Sequence, residues 1–259
     1  MDYNNTFIKR ADAYTYAVTT YPHVMDNEFK TAVDVCNIQL TDVIINIPAA
    51  CVPLDMYFQV RPKRYIEYET NKSFAERVNM KYCSFFGIPE PDETIDKIIS
   101  LASLHHMTVN ERDIFYKECR RLLHQNGRFI IGDVQDASKE CIWLNEFVNT
   151  YNSSGHHGLF WSEADRNLLE QNGFMVDIQL KTYPWIFDTK DAMIDFCKHL
   201  FGLDKATDQE IDNGIETYLQ PIYINDTYMI EWHLLYFIAT KSPVHSLDDR
   251  NTTEDPQQV

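Results

Sequence analysis

Glycine is scarce in this chain of 259 residues, which has only 8 glycines, the first of them at Gly87. That is about half the usual share of roughly 7%. The first third of the chain therefore has no residue that adopts a positive φ freely. This absence constrains the function that can be assigned to loops in that part of the protein.

The sequence also lacks the patterns of a membrane-spanning helix and of a signal peptide. No apolar run approaches the roughly 20 residues that a membrane-spanning helix needs, and the N-terminal segment lacks the charged-then-apolar layout of a signal peptide. We therefore expect a soluble, cytoplasmic protein without a membrane partner. The cysteines show no CxxC or metal-ligand spacing, so we expect reduced thiols that mostly fill the core. They lie at Cys36, Cys51, Cys83, Cys119, Cys141 and Cys197.

Positive charge is in short supply. The chain has 23 Lys and Arg against 39 Asp and Glu, which gives a net charge of -16. A surface this acidic repels phosphate backbones, so no nucleic-acid partner is expected. Hydrophobic residues make up 44% and charged residues 24%, which is ordinary for a globular protein with a large core.

Predicted strands and helices alternate between residues 40 and 175, which is typical of an α/β protein with a doubly wound, mostly parallel sheet. Short apolar runs such as 42–47 indicate strands that are covered on both faces. The spacing of Phe115, Cys119 and Leu122 predicts an amphipathic helix that stops at Gly127. The predicted strands cover residues 42–47, 64–69, 81–86, 94–100, 128–134, 174–187 and 228–241.

The flanking segments predict additions to a single domain. The first two helices are separated at Tyr21-Pro22, because proline disfavours helix at and before its own position. An apolar stripe from Met193 to Phe201 predicts either core packing or a dimer contact, so a homodimer stays open. The predicted divisions are a helical N-terminal cap at 1–37, a core at 38–241 with a helical insertion at about 188–222, and a disordered tail at 242–259.

The stretch 88–134 carries the most specific pattern in the chain. Its motifs are IPEPDETID at 88–96, SLASLHH at 100–106, ECRRLL at 118–123 and NGRFIIGD at 126–133. In this order and spacing they resemble the class I S-adenosylmethionine (SAM)-dependent methyltransferases that act on small molecules. The resemblance extends from about residue 40 to 180. It implies a seven-stranded sheet whose last strand runs antiparallel beside the fifth.

The resemblance also implies a SAM site across the carboxyl ends of strands one, two and four. The family's loop of an acid followed by glycines falls on residues 46–54. Asn46 replaces the acid, and Ala50, Cys51 and Val52 replace glycines whose missing side chains leave room for the ligand. Two interpretations stay open: a degenerate loop with weak SAM binding, or an ordinary connection in a fold that no longer binds SAM.

Further cofactor contacts are implied at the second and third strands. Glu69 ends the second strand 23 residues after Asn46, near the spacing of a ribose-binding acid. A solvated strand-end carboxylate is the alternative for Glu69. The acid that contacts adenine in the family falls at Ser84, so that contact is expected to be lost. The remaining residues assigned to the cofactor are Thr70, Phe85 and Leu101.

The candidate catalytic residues follow the fourth and fifth strands. His105 and His106 are expected to face the cleft, where an imidazole can accept a proton from a substrate hydroxyl or amine. Packing of His106 beneath the cleft is the alternative. Asp133 ends the fifth strand and either lines the substrate pocket or caps the next turn.

Three aromatic residues are assigned to the substrate, and no metal is predicted. Tyr14 and Tyr21 form either a lid over the cleft or part of the core, and Trp161 is expected to contact the substrate. Adjacent side chains such as His156 and His157 do not easily face one ion. No Cys or acid has ligand spacing to that pair, so no metal site is expected there.

The predicted function is methyl transfer from SAM to a small molecule, in secondary metabolism. The alternative is a methyltransferase fold that has lost SAM and either catalyses another small-molecule reaction or serves as a non-catalytic partner. The run at residues 50–52 is the sequence feature that separates these two functions.

Overall fold

One sheet of eight strands organises the structure, a computed structural model that describes residues 3–50 and 54–243. Along the sheet the strand order is β3-β2-β1-β4-β5-β8-β6, and the short β7 pairs with β8. The strands are β1 Val43–Asn46, β2 Arg64–Glu69, β3 Lys81–Tyr82, β4 Ile95–Leu101, β5 Leu123–Asp133, β6 Phe174–Phe187, β7 Ile222–Ile224 and β8 Thr227–Lys241.

Strands β1 to β5 are parallel to one another, and β8 is antiparallel to both β5 and β6. The predicted doubly wound, mostly parallel sheet with an antiparallel last strand is therefore confirmed. The sheet has eight strands rather than seven, because β7 forms a short hairpin with β8.

Helices cover both faces of this sheet. The π-helical stretch Trp143–Val148 joins α5 to α6, and another at Ile215–Leu219 extends α9. Thr108 and Glu111 form a capping box that fixes the start of α4. The helices are α1 Tyr3–Thr20, α2 Asp26–Cys36, α3 Lys72–Val78, α4 Val109–Leu122, α5 Lys139–Ile142, α6 Asn149–Tyr151, α7 Arg166–Gln171, α8 Lys190–Leu200 and α9 Asp208–Gly214.

The central strands are buried on both faces, as their continuous apolar runs predict. Ile44 and Ile99 belong to one core, which includes residues of α2 and α8. Ile45 and Ile98 point the other way into a second core, which includes residues of α4. Successive side chains of a strand alternate between faces, so each central strand contributes to both cores.

Several predicted boundaries differ from the structure. The third strand is only Lys81–Tyr82, because the chain then turns back through a bridge between Ser84 and Gly87. The helix predicted to stop at Gly127 ends at Leu122, and β5 begins at the next residue. The reason is pairing with β4, because Leu123 already lies opposite Ile95 in the sheet.

The crossover from β1 to β2 has little helix. Among its described residues it contains one 3-10 turn, Leu54–Tyr57. The positions of Cys51 and Val52, and most of the predicted tail, lie outside the described residues. Within residues 3–50 and 54–243, none of the helices combines the length and apolar character that a bilayer crossing demands.

Candidate active site

A cavity that opens to solvent lies at the carboxyl ends of β1, β4 and β5. Ligands of open α/β sheets bind at this edge, in the crevice where the strand order reverses. Residues of α1 and α2 form the opposite wall. The lining includes Arg10, Tyr14, Glu28, Phe29, Asn46, Ala50, Leu101, His105, His106, His156, Trp185 and Trp232.

The end of β1 supplies one side of the cavity. Asn46 is buried, and its side-chain amide donates a hydrogen bond to the Tyr65 hydroxyl at 3.2 Å. Ala50 follows with a φ of 47°, a conformation that favours glycine. Leu101, at the end of β4, completes this side. Three of the residues assigned to the cofactor therefore lie together on the cavity wall.

Glu69 does not line the cavity. Its Oε1 accepts hydrogen bonds from the amides of Thr70 at 2.7 Å and Asn71 at 2.8 Å, and Oε2 accepts one from the amide of Ala50 at 3.1 Å. The side chain is fully buried, so the alternative of a solvated carboxylate is wrong. In this structure the carboxylate holds two strand-end loops together, and Thr70 is buried beside it.

Ser84 and Phe85 also lie away from the cavity. The Ser84 hydroxyl accepts a hydrogen bond from the Phe86 amide at 3.1 Å, and Ser84 is exposed. Phe85 is buried against Phe115, with ring centroids 4.9 Å apart. Neither residue is among those that line the cavity, so the structure adds no support to their assignment to the cofactor.

His105 and Asp133 form a buried hydrogen-bonded pair. Nδ1 of His105 lies 2.7 Å from Oδ1 of Asp133, and the His105 amide donates to Oδ2 at 3.0 Å. Burial opposes the charge on Asp133, but His105, the Val134 amide and Arg112 hold the pKa of its carboxyl below the usual value. The ionised carboxylate therefore orients the imidazole. Nδ1 donates to it, so in the neutral form of this imidazole Nε2 carries the lone pair.

Asp133 stands behind His105 rather than on the cavity wall. Besides holding His105, it accepts a hydrogen bond from the Val134 amide at 2.8 Å. Both sequence interpretations of Asp133 are thus incomplete, because its main partner is the histidine. Adjacent parallel strands β4 and β5 end side by side, and this brings the two residues together.

His156 joins the two histidines at the end of β4. Its ring centroid lies 5.4 Å from that of His105 and 5.2 Å from that of His106, and all three side chains are buried. Burial and the neighbouring histidines lower the pKa values of His106 and His156 well below the usual value. Both imidazoles are therefore uncharged at neutral pH. His157 is exposed and takes no part.

The three aromatic residues assigned to the substrate lie in different surroundings. Tyr14 lines the cavity and also packs against the core. The Tyr21 hydroxyl donates to Asp195 at 2.8 Å and its ring packs against α8, outside the cavity. Trp161 is fully buried with the Arg112 guanidinium 4.3 Å over its ring, so its assignment to the substrate is corrected.

The sequence analysis did not predict the polar groups on the cavity wall that α1 and α2 form. Glu28 accepts a hydrogen bond from the Trp185 indole at 2.9 Å, and burial raises the pKa of its carboxyl to about 7. Arg10 donates to the carbonyl of Leu200 at 2.6 Å. A carboxylate on the buried face of α2, beside Phe29, was the available sign that Glu28 has a special environment.

A comparison with known families fits this architecture. Residues 49–131 match a family model described as a methyltransferase domain. Over this stretch the chain is similar to methyltransferase domains. Over 141 residues it is 23% identical to an uncharacterized methyltransferase of Bacillus cytotoxicus. That match covers 51% of this chain and 65% of the relative, so it spans less than two thirds of the relative's length.

Solved methyltransferase structures share the fold. One is a Bacillus halodurans protein named as a methyltransferase, with a TM-score of 0.58 and 13% identity over 84% of this chain and 100% of that chain. Another is a geranyl diphosphate methyltransferase in complex with SAM. It has a TM-score of 0.51 and 11% identity over 83% of this chain and 84% of that chain. These structures support the class I methyltransferase fold of this chain.

Proposed function

We propose that the protein transfers a methyl group from SAM to a small, largely apolar molecule. The observation that carries the proposal is the His105–Asp133 pair at a large cavity, at the strand ends where this fold binds its ligands. The match to a methyltransferase domain over residues 49–131 supports the same reaction class.

The cavity has the position expected of a SAM site, at the carboxyl ends of β1 and β4. Asn46, Ala50 and Leu101 would hold the cofactor on the β1–β4 side. When bound, SAM supplies an electrophilic methyl group on a sulfonium. Because Glu69 and Ser84 do not line this wall, we expect weak cofactor affinity.

The chain's own residues would prepare the acceptor. Nε2 of His105 accepts the proton of a bound hydroxyl or amine, and Asp133 stabilises the imidazolium that forms. Trp185, Trp232 and Phe29 offer an apolar wall for the body of the substrate and keep water away from it. These features favour a small aromatic or aliphatic substrate with one nucleophilic oxygen or nitrogen.

A second candidate function is that of a methyltransferase fold without SAM. It is favoured by Glu69, whose carboxylate is engaged with loop amides, and by the single 3-10 turn described in the β1–β2 crossover. Such a protein would use the cavity for another small-molecule reaction or act as a non-catalytic partner. Direct binding of SAM separates the two functions.

The test is a methyl-transfer assay with methyl-labelled SAM and a panel of small phenols, alcohols and amines. We expect a labelled product, with a rate that falls on the order of 10²–10⁴-fold in His105→Ala. His105→Gln can still donate to Asp133 and resembles histidine in shape more than alanine does. It should lose methyl-transfer rate in the same way. His157→Ala, at the exposed neighbour of His156, is the matched control and should keep its rate.

Two results would count against the proposal. A protein that binds no SAM favours the second candidate. A His105→Ala or His105→Gln variant that keeps full activity shows that the imidazole packs beneath the cavity without taking a proton.

A further inference from the structure

We propose that His105, His106 and His156 form a binding site for one divalent transition-metal ion of the zinc type. Each of the three side chains offers a ring nitrogen, and these atoms all lie within 4.8 Å of one another. All three residues are buried and line the cavity. Imidazole is the most common protein ligand for such ions.

The spacing of the rings suits a single ion. Around a tetrahedral zinc with nitrogens at about 2.0–2.1 Å, ring centroids lie roughly 5 Å apart. The centroid of His156 is already 5.4 Å from His105 and 5.2 Å from His106. The His105 and His106 centroids are 4.1 Å apart, so this pair has to open by about 1 Å to reach the tetrahedral spacing.

Asp133 supplies the support that a metal-binding histidine requires. Such histidines donate their second ring N–H to a carboxylate or carbonyl, which fixes the tautomer and the ring orientation. Nδ1 of His105 is 2.7 Å from Asp133, which leaves Nε2 as the nitrogen that can bind an ion. Nδ1 of His156 is buried and has no hydrogen-bond partner in the part of the chain that the structure describes.

The segments that carry the histidines are fixed to each other. The Leu159 amide donates to the carbonyl of His105 at 2.8 Å, and this ties the segment after His156 to the turn after β4. Arg112 donates to the carbonyls of both Leu104 and Leu159. The His156 amide is held by the side chain of Asn149 at 2.9 Å. The ligands are therefore preorganised by contacts that do not involve an ion.

Three protein ligands would leave one coordination position open to the cavity. Catalytic zinc sites have this arrangement, whereas structural sites are closed by four protein ligands. The open position would take an oxygen, nitrogen or sulfur donor of the small molecule. In the loaded protein His105 would act as a ligand of the ion rather than as a proton acceptor. The metal site itself stands independently of SAM binding.

The experiment is a metal titration of the full chain after dialysis against a chelator. Co²⁺ is followed by its visible absorption, Zn²⁺ by calorimetry, and Mg²⁺ serves as a hard-cation control that prefers oxygen ligands. We expect one equivalent of Co²⁺ or Zn²⁺ with a tetrahedral Co²⁺ spectrum, and no comparable binding of Mg²⁺.

Variants locate the site. His156→Gln should weaken Zn²⁺ binding on the order of a hundredfold or more, and Asp133→Asn on the order of 10–100-fold. The exposed neighbour provides the control, because His157→Ala should bind as the parent does. His106→Gln gives a second ligand variant if His156→Gln does not fold, with circular dichroism of the metal-free proteins as the folding check.

The outcomes are distinct from those of the methyl-transfer assay. Stoichiometric binding that His156→Gln abolishes and His157→Ala preserves supports the site, whether or not SAM binds. Absence of Zn²⁺ and Co²⁺ binding, or equal affinity in the parent and in folded His156→Gln and His106→Gln, overturns it. In that case the histidines form a packed cluster with Phe160, whose ring is 5.1 Å from His105.

Discussion

Replacing Glu28 by glutamine should remove a pH-dependent loss of stability. Glu28 lies in the cavity wall, buried in α2, where burial raises the pKa of its carboxyl to about 7 from 4.5. The hydrogen bond from Trp185 opposes this rise, and the charge of Asp133 adds to it. Glutamine keeps the size of the side chain and a carbonyl that can accept from Trp185, but it cannot ionise.

The direction in which pH changes the free energy of unfolding follows from proton binding to Glu28. Unfolded Glu28 loses its proton near pH 4.5, whereas the folded protein retains it until about pH 7. Between these values the native state binds more protons, so the free energy of unfolding falls as the pH rises. The two pKa values correspond to a cost of about 3 kcal/mol once the pH exceeds both. In acid, Glu28→Gln should have nearly the stability of the parent, and above pH 7 it should be more stable.

The assay is urea unfolding followed by far-UV circular dichroism, from about pH 5 to pH 8. The difference between parent and variant is the measured quantity, because contributions from His106 and His156 cancel in it. Glu76→Gln, at an exposed carboxylate of α3, is the matched control and should show no such trend. A stability difference that stays constant across this pH range would refute the reasoning about Glu28.

Two further substitutions test the supports of the site. Arg112→Lys should lower the free energy of unfolding by about 2–4 kcal/mol in urea, because lysine cannot reproduce several hydrogen bonds of the buried guanidinium. Arg61→Lys, at an exposed position, is the control. A loss below about 1 kcal/mol in Arg112→Lys would contradict the role of Arg112 in joining the segments around the site. Ala50→Gly should raise the free energy of unfolding by about 0.5–1 kcal/mol, because Ala50 has a positive φ. The control Ala49→Gly should lower the free energy of unfolding. If Ala50→Gly lowers it by the same amount, Ala50 is not strained.

The fold was predictable because its main determinants are local patterns. Continuous apolar runs identified β1 and β4 as strands covered on both faces, and helical spacing around Phe115 identified α4. Errors arose where pairing with a neighbour overrides local preference. Leu123 joins the sheet opposite Ile95, before the glycine expected to end the helix, and the chain turns back after Tyr82.

The site was predictable only in part, for a related reason. The positions of His105 and Asp133 followed from the strand ends, but their hydrogen bond depends on the order of strands in the sheet. His156 lies far along the chain from His105, so an argument from sequence spacing could not join them. The three amides that hold Glu69 depend on loop conformations that no residue pattern specifies.

Equilibrium dialysis of labelled SAM against the full chain measures whether the cavity binds SAM for methyl transfer. We expect saturable binding of one SAM per chain, weaker than about 10 µM because Glu69 and Ser84 do not reach the cavity wall. S-adenosylhomocysteine should compete for the same site. Absence of saturable binding up to about 1 mM SAM would contradict the methyltransferase proposal. A dissociation constant in the low-micromolar range would contradict the argument from Glu69 and Ser84.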